Sequence, residues 1–230
     1  MYLPAHFSQP DDKQVRQLIR EAPLATLVTR SATGAIEANH LPMLLDANAE
    51  EATAAGKGAG WRLRFHVARA NSLWRDARPE DEVLAIFQGP DTYISPNWYA
   101  SKAEHGKVVP TWNYAVVHVY GRLAIFDDKE WLRDFLPQLT AAHEARFEKP
   151  WQVGDAPEDY LDKMRAAIVG LELVSTRIVA KWKVGQNQPP ANQATLLDGL
   201  RQEAQSPAGQ PGAQAVADLL HRHIAGAGKG

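Results

Sequence analysis

The chain has 230 residues, 45% apolar and 23% charged, with 25 basic side chains against 27 acidic ones and a net charge of -2. Those values suit an ordinary globular core and give no basic footprint for nucleic acid, no acidic tail and no polybasic membrane anchor. Cysteine is absent, which excludes disulfides, thiolate metal sites, iron–sulfur clusters and cysteine nucleophiles and fits a reducing cytoplasm.

The opening MYLPAHFSQPDDKQVRQLIR carries no apolar core of a secretory signal. No apolar run reaches the ~18 residues of a membrane span. The expectation is a soluble, cytoplasmic protein. Ser8 to Glu21 reads as a first helix: Ser8 caps it, Asp11 and Asp12 fill its first turn, and Val15, Leu18 and Ile19 form an apolar face. Pro23 ends it. Leu24 to Thr29 and Ala35 to Leu45 read as a hairpin about the turn Ser31 to Gly34. The small, polar stretch 46–60 predicts a loop.

Trp61 to Val67 predicts the next strand, and Asn71 to Ala77 a short helix. Val83 to Gln88 and Thr92 to Ser95 read as two strands parted by the turn pair Gly89-Pro90. Ala115 to Phe126 is the longest strand signal, and Gly121 within it predicts a bulge or a close backbone approach. Lys129 to Phe147 repeats apolar residues at helical spacing, with Pro137 inside; Pro157 to Ala166 is a shorter helix. Ile168 to Val174 and Ile178 to Val184 predict two strands. Helices follow at Asn192 to Gln202 and Ala213 to Ile224, separated by SPAGQPG. Seven or eight short strands with helices at the start, middle and end predict an α+β fold built on a mostly antiparallel sandwich or barrel. Neither a dinucleotide fingerprint nor a Walker loop is present.

Four constellations carry possible chemistry. In HVARANS (66–72) a strand ends at a cluster of Arg69, Asn71 and Ser72. Arginine can take a phosphate with two parallel bonds, and a helix N-terminus favours the same anion. The plainer alternative is that Asn71 caps a helix and Arg69 is solvated. In ISPNWYASK (94–102), Ser101 and Lys102 could bind phosphate and Trp98 or Tyr99 could cover a planar ring, or the aromatics simply pack. In VPTWNY (109–114), Thr111, Trp112 and Asn113 combine a stacking surface with fixed hydrogen-bonding groups, as a planar ligand requires. In KWKVGQNQP (181–189), alternation sets Trp182 against Lys181 and Lys183, and Gln186-Asn187 form either a ligand rim or a turn. The histidines are scattered, with no metal-binding spacing, so no metal site is expected, and no acid, base or nucleophile stands out as catalytic.

The start MYLPAHF, HVARAN at 66–71, WYASK at 98–102, VPTWNY at 109–114 and the QN pair at 186–187 occur together and in order. On these motifs, over residues 1–205, the chain resembles the PaiB-type proteins, described as FMN-binding negative transcriptional regulators. The resemblance implies a split β-barrel with peripheral helices, related to flavin reductases and pyridoxamine-phosphate oxidases. It implies a homodimer with FMN near the subunit interface, and a barrel domain over 1–190 followed by a helical extension over 191–230. It makes His66 to Asn71 the cofactor-binding turn, with Arg69 and Asn71 on the phosphate or ribityl chain. Thr111, Trp112 and Asn113 lie by the ring or complete the pocket, and Lys102 is a further cofactor candidate. Ser72 stands where the family tends to have proline, and Gly185 where it tends to have serine. The implied role is regulation by redox or ligand sensing, with no evident DNA-binding motif. The alternatives are a flavin-dependent oxidoreductase and a haem-binding barrel with His66 or His118 as ligand.

Overall fold

The computed structural model describes residues 1–9, 11–46 and 60–227. The loop predicted over 46–60 lies, apart from its two ends, outside the described residues, and so does Pro10. The elements are α1 (Asp12–Glu21), β1 (Leu24–Arg30), β2 (Ile36–Pro42), β3 (Leu44–Leu45), β4 (Arg62–Ala68), α2 (Leu73–Asp76), β5 (Val83–Ile94), α3 (Ser101–His105), β6 (Thr111–Phe126), α4 (Lys129–Glu144), α5 (Glu158–Ala166), β7 (Ile168–Lys183), α6 (Pro190–Gln205) and α7 (Ala213–Ala227). The strands form one seven-stranded sheet in the order β2-β1-β5-β6-β7-β4-β3. The chain groups into two compact units, residues 16–87 with 118–178, and residues 1–15 with 88–117 and 179–230.

In the first unit, β1 and β2 pair antiparallel from Leu24↔Pro42 to Arg30↔Ile36. Ser31 accepts from the Gly34 amide at 2.9 Å, and Gly34 takes a positive φ of 84° at the turn, a conformation glycine adopts without steric cost. β4 pairs antiparallel with β7 from Arg62↔Val174 to Ala68↔Ile168. Leu63, Phe65, Leu171 and Leu173 from these strands are fully buried, with Phe135 from α4. Trp131 of α4 lies over Gly170, where an added Cβ would meet the indole at 2.3 Å. Gly121 is a close approach rather than a bulge: a Cβ there would stand 2.4 Å from the Val174 carbonyl oxygen.

In the second unit, α6 packs on α7 through Leu196, Leu200, Val216 and Leu220, all buried. Gly199 of α6 admits the Trp98 ring, which an added Cβ would meet at 2.5 Å. Ser8 does not cap α1. It bridges to Lys181, and the cap is Asp11, whose carboxylate accepts from the Lys13 amide at 2.9 Å.

Two predicted breaks are absent, and one strand begins earlier than expected. Gly89-Pro90 does not interrupt β5, which runs unbroken through both. The pairing of β5 with β1 covers only Leu84 to Ile86, so Pro90 falls where that neighbour asks for no N–H. β6 begins at Thr111 rather than Ala115, so the polar head belongs to the strand itself. β7 is one strand of 16 residues. Its polar middle is satisfied sideways: Ser175 Oγ accepts from the Trp61 amide at 2.8 Å, and Thr176 donates to Glu82 at 3.0 Å.

Candidate functional site

Strand alternation sorts the head of β6. Thr111 and Asn113 point to one face and Trp112 to the other, so Trp112 is 53% exposed while Asn113 is 2% exposed. Asn113 lines a cavity of about 430 Å³ with Thr111, Tyr99, Ser101, Lys183, Gly185 and Asn192 among its walls. That volume falls within the ~300–1,000 Å³ typical of small-molecule sites. All of these residues belong to the unit of 1–15, 88–117 and 179–230.

Hydrogen bonds fix most of the wall. Lys183 Nζ donates to Thr111 Oγ1 and to the Trp112 carbonyl. An ammonium has three hydrogens, so one remains, and the Thr111 hydroxyl, having accepted, keeps its own hydrogen to donate. Burial, with Lys181 nearby, holds the Lys183 ammonium below the usual lysine range. Asn192 is buried and fully used. Its Oδ1 accepts from the Ser101 amide at 3.0 Å, while its Nδ2 donates to Ser101 Oγ at 2.9 Å and to Gln188 Oε1 at 3.0 Å. Ser101 is thereby left with a hydroxyl hydrogen to give. Gly185 has a φ of +97°, and a Cβ there would meet Leu196 at 2.8 Å, so the floor of the cavity needs glycine.

One wall group is left over. The Asn113 Nδ2 is buried and finds no hydrogen-bond acceptor among the described residues. A buried amide without a partner costs about 1–3 kcal/mol, and a ligand that accepts from it removes that cost. Its neighbours are also donors: the third Lys183 hydrogen and the Thr111 and Ser101 hydroxyls. Such a set suits a ligand edge rich in acceptors. The pyrimidine edge of an isoalloxazine, with two carbonyls and ring nitrogens, is one such edge.

The remaining sequence candidates lie elsewhere. Lys102 of α3 donates to Asn97 Oδ1 at 2.5 Å. His66, Arg69 and Asn71 fall in the other unit. Arg69 forks onto Asp127 at 2.9 and 2.6 Å and donates to the carbonyls of Ala166 at 2.8 Å and Ile168 at 3.2 Å. That hydrogen bond raises the guanidinium and lowers the carboxyl from their ordinary ranges. Asn71 accepts from the Leu73 amide at 2.9 Å, capping α2, and donates to Asn39 at 2.9 Å. His66 stands edge-on to Phe135, and burial lowers its pKa. Lys183 and Asn192, which line the cavity, are not among the residues that the sequence singles out as cofactor candidates. Their partners lie 72 and 91 residues away, and a lysine on a strand carries no local signal of such a bond.

Residues 1–177 match the family described as "Putative FMN-binding domain". The chain is 31% identical over 229 residues to an uncharacterised protein of Emericella nidulans, AN0679, covering 87% of this chain and 90% of that one. It is 27% identical over 224 residues to the "Protease synthase and sporulation protein PAI 2" of Bacillus subtilis, covering 97% and 100%. Among solved structures it is similar to the conserved hypothetical protein Rv2991 of Mycobacterium tuberculosis. The TM-score is 0.56 at 13% identity, over 83% of this chain and 94% of that one. It is also similar to the FAD and heme binding protein of Mycobacterium smegmatis, with a TM-score of 0.51 at 14% identity, over 76% and 73%. These likenesses show the fold, an α+β arrangement of the split-barrel type. The chain belongs to this FMN-binding domain family, and FMN is its cofactor.

Proposed function

We propose that the cavity around Asn113 takes the ring of FMN and that the protein is a regulator responding to the state of that flavin. The observation that carries the proposal is the buried Asn113 amide with no acceptor among the described residues, set in a wall of further donors. FMN supplies electron transfer when bound. The protein's part is to orient the ring with Asn113 and Thr111 and to hold a positive charge, Lys183, beside its polar edge. A cation there favours any negative charge that the ring gains.

A regulatory role draws support from the name of the Bacillus subtilis relative, which ties that protein to sporulation, a cellular programme. The balanced charge of this chain favours regulation through the flavin or a partner protein over direct duplex binding. A homodimer draws support from an exposed aromatic pair. Trp112 and Tyr93 meet edge to face at 6.1 Å, with 53% and 38% of their surfaces open, an arrangement typical of interface anchors.

The test is flavin titration by absorbance and fluorescence quenching, with wild type beside Asn113→Leu. Saturable binding by wild type, weakened tenfold or more in the folded variant, is the expected result. Equal binding by both would overturn this placement of the ring.

A further inference from the structure

A second cavity, of about 330 Å³, opens between the start of the chain, the end of β7 and α7, within the unit of 1–15, 88–117 and 179–230. Its walls include Trp182, Arg222, His6, His223 and Leu219. Trp182 is 5% exposed, and its indole Nε1–H is buried with no acceptor among the described residues. Indole nitrogen is a donor only; leaving it dry and unpaired is a cost that an acceptor in the cavity would remove.

The other polar groups are sorted by what they already do. Gln186 donates to the Trp182 carbonyl at 2.6 Å and accepts from the Val184 amide at 2.8 Å. Gln9 donates to Gln14 at 3.2 Å, and Gln14 donates to Asp11 at 3.0 Å. Each of these amides thus already has a partner, and the Asp11 carboxylate is held by Gln14 and by the Lys13 amide. The Arg222 guanidinium, the Ser8 hydroxyl and both imidazoles remain. Arg222 forms no ion pair among the described residues. None of the residues lining the cavity is acidic. Leu219, Val184 and the indole face give the same cavity an apolar side.

We infer that this cavity binds a small organic carboxylate, one oxygen accepting from the Trp182 indole and the anion facing Arg222, with the hydrocarbon part against Leu219 and Val184. A carboxylate suits a guanidinium fork and a lone N–H donor together. Most of its walls, Trp182, Arg222, His223 and Leu219 among them, lie beyond the 177 residues that match the FMN-binding family. No residue lines both this cavity and the one around Asn113, so the site is separate from the flavin cavity and independent of the reading given for it.

The probe is benzoate, with benzyl alcohol as its uncharged counterpart, added to the whole chain with and without saturating FMN. The readouts are calorimetry and the indole N–H resonances of the ¹⁵N-labelled protein, with that of Trp182 identified by Trp182→Phe. Expected is a saturable downfield shift of the Trp182 resonance alone with benzoate, none with benzyl alcohol, and the same affinity whether or not FMN is bound. Arg222→Gln, on an exposed helix position that leaves the fold intact, should weaken benzoate at least fivefold. A Trp182 resonance that stays in place up to about 10 mM benzoate, or an Arg222→Gln protein that binds benzoate like wild type, would overturn the assignment.

Discussion

Arg69 and Asp127 form a two-pronged ion pair, with guanidinium nitrogens 2.9 and 2.6 Å from the two carboxylate oxygens. The resemblance gives Arg69 to the FMN phosphate, and a phosphate would compete for the same fork. Asp127→Asn should therefore tighten FMN several-fold and leave riboflavin, which lacks the phosphate, unchanged. Both groups are about half open to water, so the effect on folding should be small. Parallel titrations with the two flavins check this, and a variant that binds both like wild type would remove Arg69 from the phosphate.

Asn113 sets stability against binding. Asn113→Leu removes an unpaired buried amide and keeps its branched shape, so the flavin-free protein should lose no thermal stability and should gain up to about 1 kcal/mol. The same change should cost tenfold or more in affinity for FMN and riboflavin alike. Differential scanning calorimetry beside flavin titration reads both halves.

Lys183→Met should make the midpoint potential of bound FMN more negative by about 30 mV or more, the equivalent of roughly 1.4 kcal/mol for a two-electron couple. With the ring placed as proposed, the cation beside its edge favours electron gain. In the flavin-free protein burial already holds Lys183 below its ordinary 10.5. Between its folded value and 10.5 the unfolded chain binds the extra proton, so this lysine makes stability rise with pH there. Lys183→Met should abolish that rise. Spectroelectrochemistry and denaturation at several alkaline pH values test the pair of effects.

His66 acts at the acid end. Burial lowers its imidazole below 6.5. Above 6.5 both folded and unfolded forms are neutral. As pH falls from 6.5 to the folded value, the unfolded chain takes the proton first and stability is lost. His66→Phe should flatten that loss in urea denaturation between pH 7 and about 5.

Gly121→Ala should destabilise by about 2 kcal/mol or more. The new carbon would lie 2.4 Å from the Val174 carbonyl oxygen, a backbone atom that cannot rotate away. Thermal unfolding of the variant measures it.

Local periodicity made most elements legible, because a buried stripe writes itself into neighbouring residues. Val15, Leu18 and Ile19 announce α1, and the Ser31–Gly34 turn announces the hairpin. It failed where satisfaction comes from afar. Gly89-Pro90 and Ser175-Thr176 look like breaks, yet their strands continue through them; the hydroxyls of Ser175 and Thr176 find partners 114 and 94 residues away. Within the candidate site, Asn113 was visible as a misplaced amide at a strand head. Lys183 was not, because only folding brings it to Thr111. The pairing of Arg69 with Asp127, 58 residues apart, was hidden for the same reason.

The stretch that carries the family signature ends at residue 177, whereas Lys183, Gly185 and Asn192 close the cavity from the far side of that limit. A fragment cut at 177 would keep the whole of that match, with Thr111 and Asn113, and lose Lys183, Gly185 and Asn192 from the wall of the chamber. The chamber is thus walled from both sides of that limit, and its closure needs a segment that the family match does not reach.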